Sequence, residues 1–223
     1  MKNGLLITLE GPEGCGKTTQ CKLLYDYLKQ KKYSVIKTRE PGGTLLGENI
    51  RNILLNPDYK NIDILCELFL YNAARAQLLK EIIKPSLKSG KIIICDRFFD
   101  ATLAYQGYGR DIPKNIIYSL DKIILRKILP DLTIVFDIDP EDGLKRALKT
   151  KDNKIGDRLE QESLYFHQKV REGYLSIAKS APKRTKLIPS SQSIEKIHKI
   201  VCTYVEKLLA KKVKEEFGLI NEN

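Results

Sequence analysis

The chain has 223 residues, 42% hydrophobic and 30% charged, with a formal net charge of +11. That composition suits an ordinary globular protein with one substantial core, and no apolar run approaches the roughly 20 residues of a membrane helix. The leading MKNGLLITLEG is too poor in apolar residues for a signal peptide, so a cytoplasmic chain without a membrane segment is expected.

LLITL (5–9) predicts a buried strand, and GPEGCGKTT opens a helix running to about Lys31. A second strand is expected from Tyr33 to Lys37, followed by the turn-rich TREPGGT, and a helix from Asn61 to Ser89 with a break near Pro85. IIIC (92–95) and LTIVF (132–136) predict strands three and four. Helical periodicity resumes after Pro140, breaks in the polar TKDNKIGD (150–157), and continues to about Lys179. KLIP (186–189) is a short last strand before a helix from Ile194 to about Phe217. Near-continuous apolar strands alternating with helices predict an α/β fold whose parallel sheet is covered on both faces, in one domain spanning 1–223.

Gly11–Thr18 (GPEGCGKT) matches G-x-x-x-x-G-K-[ST] between a strand and a helix. The glycines let successive backbone N–H groups point into one concavity at a helix N-terminus, which wraps a polyphosphate. Gly11, Pro12, Glu13, Gly14, Cys15, Gly16, Lys17, Thr18 and Thr19 are therefore the expected ATP-binding loop. Lys17 would reach the β- and γ-phosphates, and Thr18 with the strand-end Asp96 would hold Mg²⁺. Cys15, beside Lys17 at a helix N-terminus, has a setting that lowers a thiol pKa, against the plainer reading of a small residue that fits the loop. The five cysteines show no C-x-x-C spacing and two histidines accompany them, which argues against zinc and for reduced thiols.

Arginine supplies 10 of the 39 basic residues. Arg39, Arg75, Arg97, Arg110, Arg146 and Arg158 fall in or beside distinctive stretches, which suggests geometry rather than solubility. With GPEGCGKTT, TREPGGT (38–44), YNAARAQL (71–78), DRF (96–98), AYQG (104–107) and DRLEQES (157–163), the chain resembles bacterial thymidylate kinases over nearly its whole length. The resemblance implies a three-layer P-loop kinase fold with a five-stranded parallel sheet flanked by helices and a short lid at about 149–160. It also implies Mg²⁺-dependent transfer of the ATP γ-phosphoryl group to dTMP, and a homodimer. Arg39 and Arg97 match the arginines that grip the acceptor phosphate, and Arg75 and Gln106 the base-reading positions. Tyr71 stands where the family often has Phe as a stacking surface. Tyr105 would press on the deoxyribose, and Glu13 would face the acceptor sugar.

Some thymidylate kinases carry an arginine in the P-loop just after the carboxylate; here that position is Gly14. The chain therefore resembles the subtype with lid arginines. Arg158 is the expected transition-state finger, its loss lowering the rate roughly 10³-fold, and Arg146 is matched to adenine. Lys149, Lys151 and Lys154 supply charge but no planar fork. Three alternatives stand beside this reading. One is another monophosphate acceptor, a second is a non-catalytic homologue, and the third is a nucleic-acid-binding ATPase, prompted by the charge although no binding motif for it is found. The tail KKVKEEFGLINEN (211–223) has no assigned role.

Overall fold

The computed structural model describes residues 4–149, 156–216 and 218. Among them, five strands form one sheet: β1 (Leu5–Glu10), β2 (Val35–Arg39), β3 (Ile92–Asp96), β4 (Leu132–Asp137) and β5 (Thr185–Pro189). Their order is β2-β3-β1-β4-β5 and every pairing is parallel. The helices are α1 (Lys17–Gln30), α2 (Leu45–Leu55), α3 (Ile64–Leu78), α4 (Lys84–Lys88), α5 (Phe99–Thr102), α6 (Lys114–Leu125), α7 (Pro140–Lys149), α8 (Leu164–Ser180) and α9 (Ile194–Glu216). Between α3 and α4, and again after α5, the helix widens into π-helical stretches at Leu79–Ile83 and Leu103–Gly109.

The apolar strands are read twice by the period-two alternation of side chains. Leu5, Ile7, Leu9, Ile92, Ile94, Ile134 and Phe136 face α1 and α9, whereas Leu6, Ile93 and Cys95 pack with Leu78, Ile83 and Phe98 on the other face. That second face also carries a polar chain. Thr8 and Thr133 share a 2.8 Å hydroxyl contact, and Arg184 donates to Thr133 at 2.8 Å and to both oxygens of the buried Asp100 at 2.7 Å. β1 lies at the centre, so the loop after it opens at the point where strand order reverses, the usual ligand crevice of an open parallel sheet.

Several boundaries differ from expectation. β2 begins at Val35 and runs to Arg39, because it pairs residue for residue with β3 from Val35 opposite Ile92 to Arg39 opposite Asp96. The expected helix at Asn61 starts instead at Ile64, where Asp63 accepts from the N–H groups of Leu65 and Cys66 as an N-cap. Pro85 is not the break: it sits in the first turn of α4, where its missing N–H is tolerated, and the change of register occurs in the π-helical turn before it. Helices α2 and α6 were not expected. Both leave apolar residues exposed, Leu45, Leu46 and Ile53 on α2 and Ile116 and Ile123 on α6.

Replacing Arg184 with Ala would strand the Asp100 carboxylate in the core. Urea unfolding should show a loss of about 3 kcal/mol or more; a loss below about 1 kcal/mol would show that the pair carries little of the fold.

Candidate active site

The chain leaves β1 at Glu10 and turns through Gly11, Gly14 and Gly16, all at positive φ (136°, 66° and 93°), before α1 begins at Lys17. Gly11 and Gly14 are sterically compelled beyond their dihedrals. A Cβ at Gly11 would stand 2.4 Å from the Phe136 carbonyl oxygen, and one at Gly14 1.9 Å from the Gly143 carbonyl oxygen, so the loop lies directly against the backbone of α7. The Lys17 ammonium is held in the loop, donating to the carbonyls of Gly11 (2.9 Å) and Pro12 (2.7 Å). Thr18 Oγ1 donates to Asp96 Oδ2 at 2.6 Å, which brings two hard oxygen ligands together at the loop's edge. Arg146, from α7, donates to the Ser190 carbonyl at 3.1 Å on the rim of the same cavity.

Arg97 joins this loop to a second cleft. Its backbone is left-handed (φ 66°), a conformation uncommon for a non-glycine residue. Its Nη1 donates to the Gly11 carbonyl (2.8 Å) and to the Tyr174 hydroxyl (3.0 Å), and its Nη2 to Glu13 Oε1 (2.8 Å). Tyr105 donates to the same Glu13 oxygen at 2.7 Å, with the Arg97 guanidinium over its ring. Burial alone would raise the Glu13 pKa, but Arg97, Lys17 and the Tyr105 hydroxyl outweigh it and hold the carboxyl down to about 2.

The second cleft is narrow, about 70 Å³. Tyr71, Leu55 and Leu159 give it an apolar wall; Thr102, Gln106, Arg51 and Asp157 give it polar groups. Tyr105 and Gln106 lie in the π-helical stretch Leu103–Gly109, closed by an Arg110 N–H donating five residues back to the Tyr105 carbonyl at 2.9 Å. Glu13, Glu40, Arg51 and Arg97 line both this cleft and the P-loop cavity, so the two are neighbours across a shared charged wall.

A phosphate-binding loop and an aromatic cleft, separated by arginines, is the plan of a kinase with two nucleotide sites. The family model described as thymidylate kinase matches residues 9–201. The chain belongs to the thymidylate kinase family. It is 44% identical to a thymidylate kinase of Bacillus licheniformis over 207 residues, 93% of this chain and 97% of that protein. It is 45% identical to one of Desulforapulum autotrophicum over 209 residues, 92% of each. The crystal structure of thymidylate kinase from Ehrlichia chaffeensis superimposes with a TM-score of 0.74 at 36% identity, covering 91% of this chain and 98% of that one. The expected P-loop kinase fold, with its five-stranded parallel sheet, is what the thymidylate kinase architecture here displays.

The expected site residues fall into three groups. Glu13, Tyr71, Arg97, Tyr105 and Gln106 line the aromatic cleft. Gly14, Gly16, Lys17, Thr18, Thr19, Arg39, Asp96 and Arg146 line the P-loop cavity, with Arg39 also donating to Glu48 at 2.8 Å. Arg75 stands one layer behind the cleft, 1% exposed. Its donors go to Glu40 Oε2 (2.8 Å), Thr102 Oγ1 (2.8 Å) and the Phe98 carbonyl (3.3 Å), so it backs the wall that Glu40 and Thr102 present.

Arg158 and Cys15 stand apart from these groups. The Arg158 guanidinium is buried, donating to Glu67 Oε2 at 2.6 Å and the Leu54 carbonyl at 2.7 Å. Cys15 fits the plainer of its two readings: it is buried, and burial raises its pKa despite Lys17 and Arg97. Of the lid at 149–160, residues 150–155, with Lys151 and Lys154, lie outside the described residues, as do Phe217 and 219–223 of the tail.

Four contributors escaped the sequence reading: Arg51, Glu67, Thr102 and Tyr174. Arg51 was the findable one, a lone arginine in an apolar helix just after TREPGGT. Burial and the neighbouring Arg39 and Arg97 push its pKa below the ordinary range, the mark of crowded positive charge.

Three buried carboxyls behave oppositely to Glu13. Burial raises Glu10 to about 8, Glu40 to about 7 and Asp121 to about 6. Each binds its proton more tightly folded than unfolded, so each loses stabilisation as pH rises from its ordinary value, near 4, to the folded one. Thermal unfolding should therefore show Tm falling between pH 5 and 8.5. Glu10→Gln should flatten that fall; an unchanged slope would show that Glu10 does not titrate in this window.

Proposed function

We propose that the chain, acting as one domain with a lid at about 149–160, transfers the ATP γ-phosphoryl group to dTMP across the wall shared by its two cavities. The shared arginines carry this reading. Arg97 and Arg51 border both cavities and Arg39 the P-loop one, so a monophosphate held by them would present an anionic oxygen toward the γ-phosphate. Such an acceptor is already a nucleophile and needs no general base; the chain's task is alignment and charge.

In this reading the P-loop amides and Lys17 hold the donor phosphates, and Arg146 borders the adenine. Tyr71 stacks on the thymine. Gln106 and Thr102, backed by Arg75, meet its polar edge. Tyr105 and Glu13 face the deoxyribose. The paired oxygens of Thr18 and Asp96 suit Mg²⁺, which binds through one or two protein oxygens plus phosphates. Among the described residues no cluster of three or more His, Cys, Asp or Glu suggests a protein-only metal cage. When bound, Mg²⁺ would neutralise phosphate charge. The Thr18 hydroxyl, while donating its hydrogen to Asp96, keeps its oxygen lone pairs for such an ion.

A homodimer is part of the proposal. α3 packs against both α2 and α6, and the three helices expose Leu46, Ile53, Leu65, Phe69, Ile116 and Ile123. Such an apolar surface suits a second copy. Cytoplasmic residence is proposed as well: the five cysteines are unpaired, and no described helix is long and apolar enough to cross a membrane.

An assay of ADP release with dTMP, dUMP, dCMP, UMP and AMP tests the acceptor. dTMP should give the highest kcat/KM, Arg97→Ala should lower it at least about 10²-fold, and EDTA should abolish turnover. Equal rates with AMP would sink the reading. Arg158→Ala should lower Tm by several degrees, because it removes one of the two arginines that pair with the buried Glu67, with kcat reduced less than about tenfold. A 10³-fold loss of kcat at unchanged Tm would establish the finger role.

A further inference from the structure

The Gln106 side chain ends in a primary amide with two chemically opposite atoms, an NH₂ that only donates and an oxygen that only accepts. Its Nε2 donates to Glu67 Oε1 at 2.8 Å. Turning the amide over would set oxygen against oxygen, so a carboxylate at this position fixes which way it faces. Glu67 is itself immobilised. It is 1% exposed and accepts from Arg158 Nη2 (2.6 Å), Arg110 Nη2 (3.2 Å) and Arg110 Nε (3.3 Å). Burial would raise its pKa, but Arg110, Gln106 and Arg158 outweigh it and hold the carboxyl below the ordinary range, so it remains an acceptor.

We propose that Glu67 is a specificity-determining positioning residue: by holding the amide nitrogen of Gln106, it leaves the carbonyl oxygen to the acceptor cleft that Gln106 lines. A fixed acceptor favours a base whose ring nitrogen carries a hydrogen, as N3 of thymine and uracil does. It opposes cytosine, whose N3 is a lone pair. The choice between pyrimidines is then set one layer behind the base, by the charge on Glu67. The inference rests on the reading of Gln106 as base-facing.

Its test is the ratio of kcat/KM for dTMP to that for dCMP, in the wild-type enzyme, Glu67→Gln and Gln106→Leu, at fixed ATP and Mg²⁺. A neutral amide at position 67 can donate or accept, so Gln106 is free to turn over. Glu67→Gln should lower the ratio by about tenfold or more, and Gln106→Leu should lower it too. A merely structural Glu67 would weaken both substrates alike, so a ratio within twofold of wild type in Glu67→Gln overturns the proposal. If Gln106→Leu still lowers it, the base-facing reading survives; if neither variant moves it, that reading falls as well. Should Glu67→Gln fail to fold, Glu67→Asp carries the same test. It keeps the charge for Arg110 and Arg158 but retracts the acceptor by one methylene, and an unchanged ratio overturns the proposal equally.

Discussion

The site depends on the ion pair between Arg97 and Glu13. Glu13 belongs to the phosphate loop and Arg97 to the end of β3, so the pair, with the second Arg97 bond to the Gly11 carbonyl, makes the two halves one body. Two partly buried charges of opposite sign hold each other in their ionised forms. The arrangement has a functional consequence. The guanidinium keeps donors for an incoming anion, while the loop that would carry the donor phosphates is registered to it through bonds near 2.8 Å. Close alignment is what phosphoryl transfer requires, and bonds such as these would set it in the frame before either substrate arrives.

Behind that pair runs a second layer that supports it from the core. Tyr174 accepts from Arg97 and donates to Glu10 Oε2 at 3.0 Å, while Glu10 Oε1 accepts the Phe98 N–H at 2.7 Å. Glu10 thus grips the guanidinium through a tyrosine and the backbone through the next residue, which holds the left-handed turn at Arg97 from both ends. Arg75 and Glu67 do the same for the cleft. The first braces Glu40 and Thr102, and the second braces Gln106. Groups that meet solvent or substrate are few, and each rests on a buried polar partner. That is how a site made largely of loop and π-helical residues keeps its shape.

The residues legible in the sequence were those whose chemistry is local. The P-loop can be read because its glycines, Lys17 and Thr18 act within eight positions, and Asp96-Arg97 because a charged pair ending an apolar strand has few other uses. The unread residues act over distance. Glu67 lies 39 positions from Gln106 and 91 from Arg158, and nothing near it in sequence announces three converging donors. The π-helical stretch was hidden for a related reason, since its wider turn is set by packing against α8 and not by composition. Arg158 shows the converse. A matching motif gave its position, but only the fold could pair it with Glu67, 91 positions away.

This last point bears on where catalytic charge comes from. An arginine at position 14 is excluded by backbone, because its Cβ would fall on the Gly143 carbonyl, and Gly143 in turn has no room for a Cβ beside the Glu13 carbonyl. The loop and α7 meet at two bare glycines, so neither of those two positions can carry a side chain toward the phosphates. Arg158 is spoken for by Glu67. Among the described residues, the cations that line the P-loop cavity are Lys17, Arg39, Arg51, Arg97 and Arg146. Two of these, Arg51 and Arg97, also line the acceptor cleft. Burial first, then Arg39 and Arg97, depresses the pKa of Arg51. Clustered like charges are costly unless an anion joins them, and the monophosphate is the anion the cleft is shaped to bring. The acceptor would therefore bring its negative charge to the arginines that the two cavities share, which would couple its arrival to the assembly of the charge that the reaction needs.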